Sequence, residues 1–211
     1  MKKFIIMLSV LTAIMYAMPI MAQEQTLFSG KTEFGGFGGP VWKTTMLNDD
    51  WGLMMGGRGG WSINHVLSIG GGGYGLTTNI PAPVSDRYLN FGYGGGIVEV
   101  ILASDKVIHL TTNVLVGGGG VNFRKDWEEM NGDWEDCYRC SYDKDYDPDF
   151  TPTDSFFVIE PGVELEINVA KFFRVGLGVS YRYINGIETE GLKDKDLSGI
   201  SANVILKFGK F

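Results

Sequence analysis

Cys137-Tyr138-Arg139-Cys140 and the acidic run Asp143-Lys144-Asp145-Tyr146-Asp147-Pro148-Asp149 are residues whose types and spacing could do chemistry. A CxxC pair can act as a redox dithiol, as half of a zinc site or as a local disulfide. The redox reading lacks its βαβ pattern, and zinc lacks a second CxxC or a nearby His. Outside the cytosol the default is a structural disulfide between Cys137 and Cys140. The alternating carboxylates Asp143, Asp145, Asp147 and Asp149, with Asp154 following, have the spacing of a calcium loop, where oxygen ligands stand at positions 1, 3 and 5 and an acid at 12. Pro148 takes the place of the turn glycine and Asp154 that of the bidentate Glu, so a solvated acidic loop without Ca²⁺ is the competing reading.

A second set of charged residues sits inside alternating segments: Arg58, Glu99, Glu160, Glu164, Glu166, Arg174 and Arg182. The chain has two histidines. His65 falls in a short connection and His109 at the start of a strand, both far from the acidic run. A surface triad or dyad built on His therefore has no material, and the chain reads as a non-enzyme.

The elements that position these groups are strands of period two. In residues 172–183, Val175, Leu177, Val179, Tyr181 and Tyr183 share one face, and Arg174, Gly176, Gly178, Ser180 and Arg182 the other. In residues 157–169, Phe157, Ile159, Val163, Leu165, Ile167 and Val169 oppose Glu160, Gly162, Glu164, Glu166 and Asn168. Residues 107–116 set Ile108, Leu110, Val114 and Val116 against His109, Thr111 and Asn113, a weaker version covers 51–63, and four further strands are expected over 32–44, 66–77, 88–102 and 197–211. Short connections alternate with longer ones, the longest being 122–155. Ten-residue alternating segments with that rhythm are the signature of a membrane barrel, short turns periplasmic and long loops extracellular. The expected fold is all-β: an eight-stranded antiparallel up-and-down transmembrane β-barrel.

Glycine, 31 of 211 residues, is about twice its usual share. Its runs, flanked by Trp, Tyr, Val and Ile, exclude long helices. In residues 88–102 the parity of the apolar residues changes: Leu89, Phe91 and Tyr93 stand on one face, Val98, Val100 and Leu102 on the other. The parity of the lower half turns Glu99 inward, and a β-bulge near Gly94–Gly96 would reconcile the two halves.

Lys2 and Lys3, the apolar stretch 4–21 and the small Ala22 before Gln23 form a signal-peptide pattern, so 1–22 reads as a cleaved leader and 23–211 as the barrel domain. An uncleaved helical anchor is the rival. For the barrel the rival is a soluble lipocalin-like one, with apolar residues inside. A lumen holding Glu164, Glu166, Arg174 and Arg182, an aliphatic exterior and strand-end aromatics (Trp42, Trp51, Trp61, Tyr88, Phe123, Phe173, Tyr183) favour lipid. A Val169/Phe173 pair closing a three-residue turn would set Glu160 opposite Arg182. Glu164 and Glu166 would then lie opposite Gly178 and Gly176, with room to reach Arg58. Such pairing plugs the barrel; abundant lumen glycine keeps a narrow conduit as the alternative.

The 122–155 connection holds eleven acids against four bases, so the acidity of the chain, net charge −7, is concentrated there. Nucleic acid is excluded as a partner, because phosphate recognition needs basic patches. In strand count, loop rhythm and a last strand ending in Phe208 and Phe211, the chain resembles the small eight-stranded outer-membrane proteins of the OmpA-barrel and OmpX-like type, including glycine-rich Bacteroidota forms. The resemblance implies a structural or surface-interaction role through extracellular loops towards an unknown ligand, and no cofactor. It implies contact with outer-membrane lipid and folding by the barrel-assembly machinery, with Phe208 and Phe211 as its signal. An OmpW-like small-molecule conduit is the alternative. No long extension follows the last strand, so a peptidoglycan-binding domain is not expected. Phe211 stands on the opposite parity from Phe208, which turns it away from lipid.

Overall fold

The computed structural model describes residues 32–83, 87–124, 153–189 and 191–211. Eight strands follow one another: β1 (Phe34–Leu47), β2 (Asp50–Ile63), β3 (Leu67–Leu76), β4 (Tyr88–Leu102), β5 (Ile108–Arg124), β6 (Asp154–Ala170), β7 (Phe173–Asn185) and β8 (Gly199–Lys210). One short helix, α1 (Asp194–Leu197), precedes β8. Each strand pairs antiparallel with the next, and β8 returns to β1 to close a barrel. Residues 1–22, expected to be a leader, and Cys137, Cys140, Asp143, Asp145, Asp147 and Asp149 lie outside the described residues.

Alternation fixes the two faces. Leu177, Val179, Tyr181 and Tyr183 on β7 are exposed outward, as are Val163, Leu165 and Ile167 on β6 and Ile108, Leu110, Val114 and Val116 on β5. The intervening positions point into the lumen, where Glu164, Glu166 and Arg182 are buried. An apolar exterior around a charged interior inverts the soluble-barrel pattern.

One end of the barrel carries the tight connections. Asn64 and His65 take φ of 52° and 59° at the β2–β3 turn, and Ala170 pairs with Phe173, leaving Lys171 and Phe172 as the β6–β7 turn. That turn is one residue shorter than the sequence suggested, and the ladder shifts register between Asn168 and Ala170 to absorb the difference. The opposite end carries the longer connections, with one exception. The β1–β2 connection is a two-residue turn in which Asn48 and Asp49 have φ of 50° and 67°, the type I′ geometry that matches strand twist.

β4 contains no bulge. Its ladder runs unbroken against β5 from Tyr88↔Arg124 to Leu102↔Leu110, and against β3 through Gly94↔Gly73, Gly95↔Gly72 and Gly96↔Gly71. Leu89, Phe91 and Tyr93 therefore point inward, 1%, 2% and 5% exposed, on the same face as Ile97 and Glu99. The lumen changes chemistry with height, charged below and apolar above, so residue type switches while parity does not. Phe123, expected in an outer aromatic girdle, points inward for the same reason and is buried. The acidic connection is also shorter than 122–155, because β5 continues to Arg124 and Val121 pairs with Asp154.

The wall is uneven. On β1–β4 the outward positions form a row of bare backbone, Gly38↔Gly59, Gly59↔Gly71 and Gly71↔Gly96, and a second row, Gly57↔Gly73, Gly73↔Gly94 and Gly94↔Gly118, reaches β5. A groove of about 650 Å³ lies on this outer surface, lined by Gly59, Gly71, Trp61, Ile69 and Phe208 among others. Inward glycines have a different cause. A Cβ at Gly39, Gly56, Gly70, Gly95 or Gly117 would overlap the carbonyl oxygen of a neighbouring strand. Tight curvature brings backbones too close there for any side chain.

Candidate functional site: the filled lumen

Near the short-turn end, six ionic side chains and one imidazole from seven inward positions form one connected group. Arg58 on β2 lies between Glu99 on β4, Nε to Oε1 3.1 Å, and Glu164 on β6. Lys207 on β8 donates to Glu99 Oε2 at 2.9 Å and to Glu166 Oε1 at 2.6 Å. Glu166 Oε2 stands 3.3 Å from His109 Nε2 and 3.9 Å from Arg174 Nη1. Charge alternates along the chain Glu164–Arg58–Glu99–Lys207–Glu166. Taking a single ion out of water costs several kcal/mol, and such a group persists only when each charge finds its opposite.

One level higher, Glu160 is the hub. Lys43 donates to its Oε1 at 2.7 Å, Tyr93 OH to its Oε2 at 2.7 Å, and Ser180 Oγ also to Oε1. The Lys43 ammonium sits 3.7 Å from the Tyr74 ring centroid, where the ring face attracts a cation.

Arg182 lies above that. It donates from Nε to the Leu197 carbonyl at 2.8 Å and from Nη2 to Thr45 Oγ1 at 3.3 Å, and its guanidinium is 5.2 Å from the Phe91 ring. The expected Glu160–Arg182 pairing does not form. Ile159↔Tyr183 and Gly162↔Ser180 keep the expected register, so the two residues stand across from each other, but Glu160 bonds Lys43 and Arg182 bonds the Leu197 carbonyl.

The long-loop end is apolar. Leu47, Leu89, Phe91, Val158 and Ile184 meet Ile80, Leu192 and Leu197, which the connecting segments fold inward. Phe91 stacks on Phe156 at 5.4 Å. α1 is tied down by Asp194 Oδ1, which accepts from Gly186 N at 3.0 Å and Ile187 N at 2.8 Å. Asp154 Oδ2 accepts from Glu188 N, Thr189 N and Thr189 Oγ1, so the carboxylate read as a calcium ligand clamps two connections together. Among the described residues no group of three or more His, Cys, Asp or Glu is placed to hold a metal.

At the other mouth, Phe208 faces outward and stacks on Phe173 at 4.8 Å, while Phe211 turns in and stacks on Phe37 at 6.1 Å. The sequence reading assembled Arg58, Glu99, Glu160, Glu164, Glu166, Arg174 and Arg182 on the lumen face, and the structure places all of them there. It passed over Lys43, Lys207 and Tyr93. The signal for Lys207 was present, since it lies between the outward Leu206 and Phe208. For Tyr93 the signal is ambiguous, because an aromatic on a barrel strand suits the lipid face as well as an apolar upper lumen.

No family model matches the chain, and no curated protein does. Solved structures do. The N-terminal β-barrel domain of OprF from Pseudomonas aeruginosa superposes with a TM-score of 0.55 at 8% identity, covering 85% of this chain and 99% of that one. Neisserial surface protein A gives 0.52 at 11% identity, covering 86% and 100%. At these identities the likeness is one of fold, that of the small eight-stranded outer-membrane β-barrels.

Proposed function

We propose that the chain is an integral outer-membrane barrel whose role is structural or surface-interacting, exerted through its long connections rather than through its lumen. The observation that carries this reading is the burial of the interior charges. Arg182 and Glu166 are 0% exposed, and Lys207 and Glu160 2%. Side chains take the volume that a conducting pore would give to water, as expected when eight strands enclose a space about wide enough for side chains alone. The apolar outer belt and the fold shared with OprF and NspA support the membrane setting. In this reading residues 1–22 are a cleaved leader, the short-turn end faces the periplasm and the long connections face outward. The outward Phe208 is then the residue presented to an assembly factor.

Catalysis is not part of the proposal. His65 sits in a turn hydrogen-bonded to Glu33, and His109 is enclosed in the ionic group. Single-channel recording on refolded protein tests the reading against the conduit alternative. A filled lumen gives no stable conductance step; reproducible steps would overturn it. Deleting 125–152 tests the other half, and should abolish whole-cell adhesion to host matrix while leaving the barrel folded.

A further inference from the structure

The ladder of β8 ends at Lys210, paired with Gly36 of β1. Phe211 lies one residue beyond, and ring contacts place it. Its ring stacks on Phe37 at 6.1 Å with an interplanar angle of 27°, and the Arg174 guanidinium lies 3.9 Å from its centroid. The other member of the stack, Phe37, has the Lys207 ammonium 4.7 Å from its own centroid. Arg174 and Lys207 both contact Glu166, and Glu166 contacts His109. The two rings thus stand between the mouth of the barrel and its ionic group, each held by a cation of that group.

We propose that Phe211 is a hinged lid that closes the short-turn mouth of the lumen and keeps water from the Glu166–Lys207–His109 cluster. The hinge is local. At Gly209 a Cβ would overlap the Gly36 carbonyl, so β8 passes β1 there without a side chain, and Gly209 N is fixed to the Phe172 carbonyl at 3.0 Å. Beyond Lys210 the ladder ends, and the lid is held by ring stacking and a cation–π contact. A closure of that kind opens at a small but regular frequency, whereas a ladder-bonded residue does not. Opening exposes a blind vestibule, because the apolar layer from Leu47 to Leu197 still seals the far end. The lid therefore governs hydration of the cluster and leaves conductance unchanged, which separates this inference from the proposed function.

The two histidines supply the test. The side chain of His65 is 40% exposed and that of His109 0%. Folded protein in detergent micelles is treated with diethyl pyrocarbonate, and modification of each histidine is read by peptide mass spectrometry. The wild-type chain should be labelled at His65 and protected at His109. Phe211→Ala, shown folded by its heat-modifiable gel migration, should label His109 at least tenfold faster with His65 unchanged, and Phe211→Tyr should restore protection. Protection of His109 in folded F211A, or labelling at the His65 rate in wild type, overturns the proposal. Should F211A fail to fold, Arg174→Gln decides: it leaves β8 intact and Glu166 still bonded to Lys207, and it should raise His109 labelling; an unchanged rate overturns the lid.

Discussion

Glu164 on β6 reaches across the lumen to Arg58 on β2, and it does so past Gly178, where a Cβ would collide with the Glu164 Cγ. That reach across the barrel depends on a missing side chain on the neighbouring strand.

Arg58→Met should therefore be costly. Among the described residues it removes the one cation bonded to Glu164 and one of two bonded to Glu99. Stripping one partner from a buried pair typically costs about 3–5 kcal/mol. Urea unfolding in lipid vesicles should show a loss of that size, and Arg58→Met combined with Glu164→Gln should recover part of it. An additive double variant would mean that the two residues are not coupled.

Arg182→Met should be milder. Among the described residues this guanidinium pairs with no carboxylate, so its removal takes a hydrogen-bond donor from neutral acceptors, the Leu197 carbonyl, the Thr45 hydroxyl and the Met54 sulfur. That costs about 1–2 kcal/mol. The same unfolding assay ranks the two variants; an Arg182 loss equal to that of Arg58 would refute the assignment of partners.

How much of this was legible in the sequence depends on height in the barrel. Over Val163–Val169 of β6 and Phe173–Tyr183 of β7 polar or glycine positions alternate with apolar ones, and the sequence alone sets Glu164 opposite Gly178 and Glu166 opposite Gly176. On β4 the strand itself was clear but its upper half was turned inside out. A glycine run carries no facing signal, and an inward Phe91 looks like an outward one when the upper lumen is apolar. Lys43 was out of reach for another reason. Its partner Glu160 is 117 residues away in sequence and off the local ladder, and no spacing encodes such a meeting.

Gly117→Ala and Gly75→Ala should separate the two kinds of glycine. At Gly117 a Cβ overlaps the Gly94 carbonyl, whereas at Gly75 nothing lies within 4 Å. Refolding yield, followed by heat-modifiable migration, should fall sharply for G117A and stay at wild type for G75A. Equal yields would show that the wall tolerates the extra atom.

Asp49→Gly should stabilise the barrel. Asp49 holds φ of 67° in the two-residue β1–β2 turn, and glycine at this position of a type I′ turn removes the left-handed penalty, about 1 kcal/mol. A rise in urea midpoint is expected; a fall would mean that the Asp49 side chain matters more than its backbone.

Glu33 should titrate low. The His65 ring bonded to it at 2.9 Å holds its carboxyl below the usual value of 4.5. Because the folded value is depressed, the contact contributes above the ordinary carboxylate range and is lost as pH falls through the lowered value. A carbon NMR titration of Glu33 should give a midpoint under 4.5, moved up to the ordinary value by His65→Ala. An unshifted midpoint in the parent protein would break the assignment.

The bare-backbone rows across β1 to β5 give the barrel a direction. Outward side chains cover β6, β7 and β8, so that arc is the stiffer one, while along the glycine rows the outer face offers only hydrogen-bonded backbone. Under lateral pressure from the bilayer the cross-section should flatten along one fixed axis, with the compliant arc giving way and the braced arc holding its curvature. A cylinder of eight similar strands is, mechanically, a leaf spring backed by a plate.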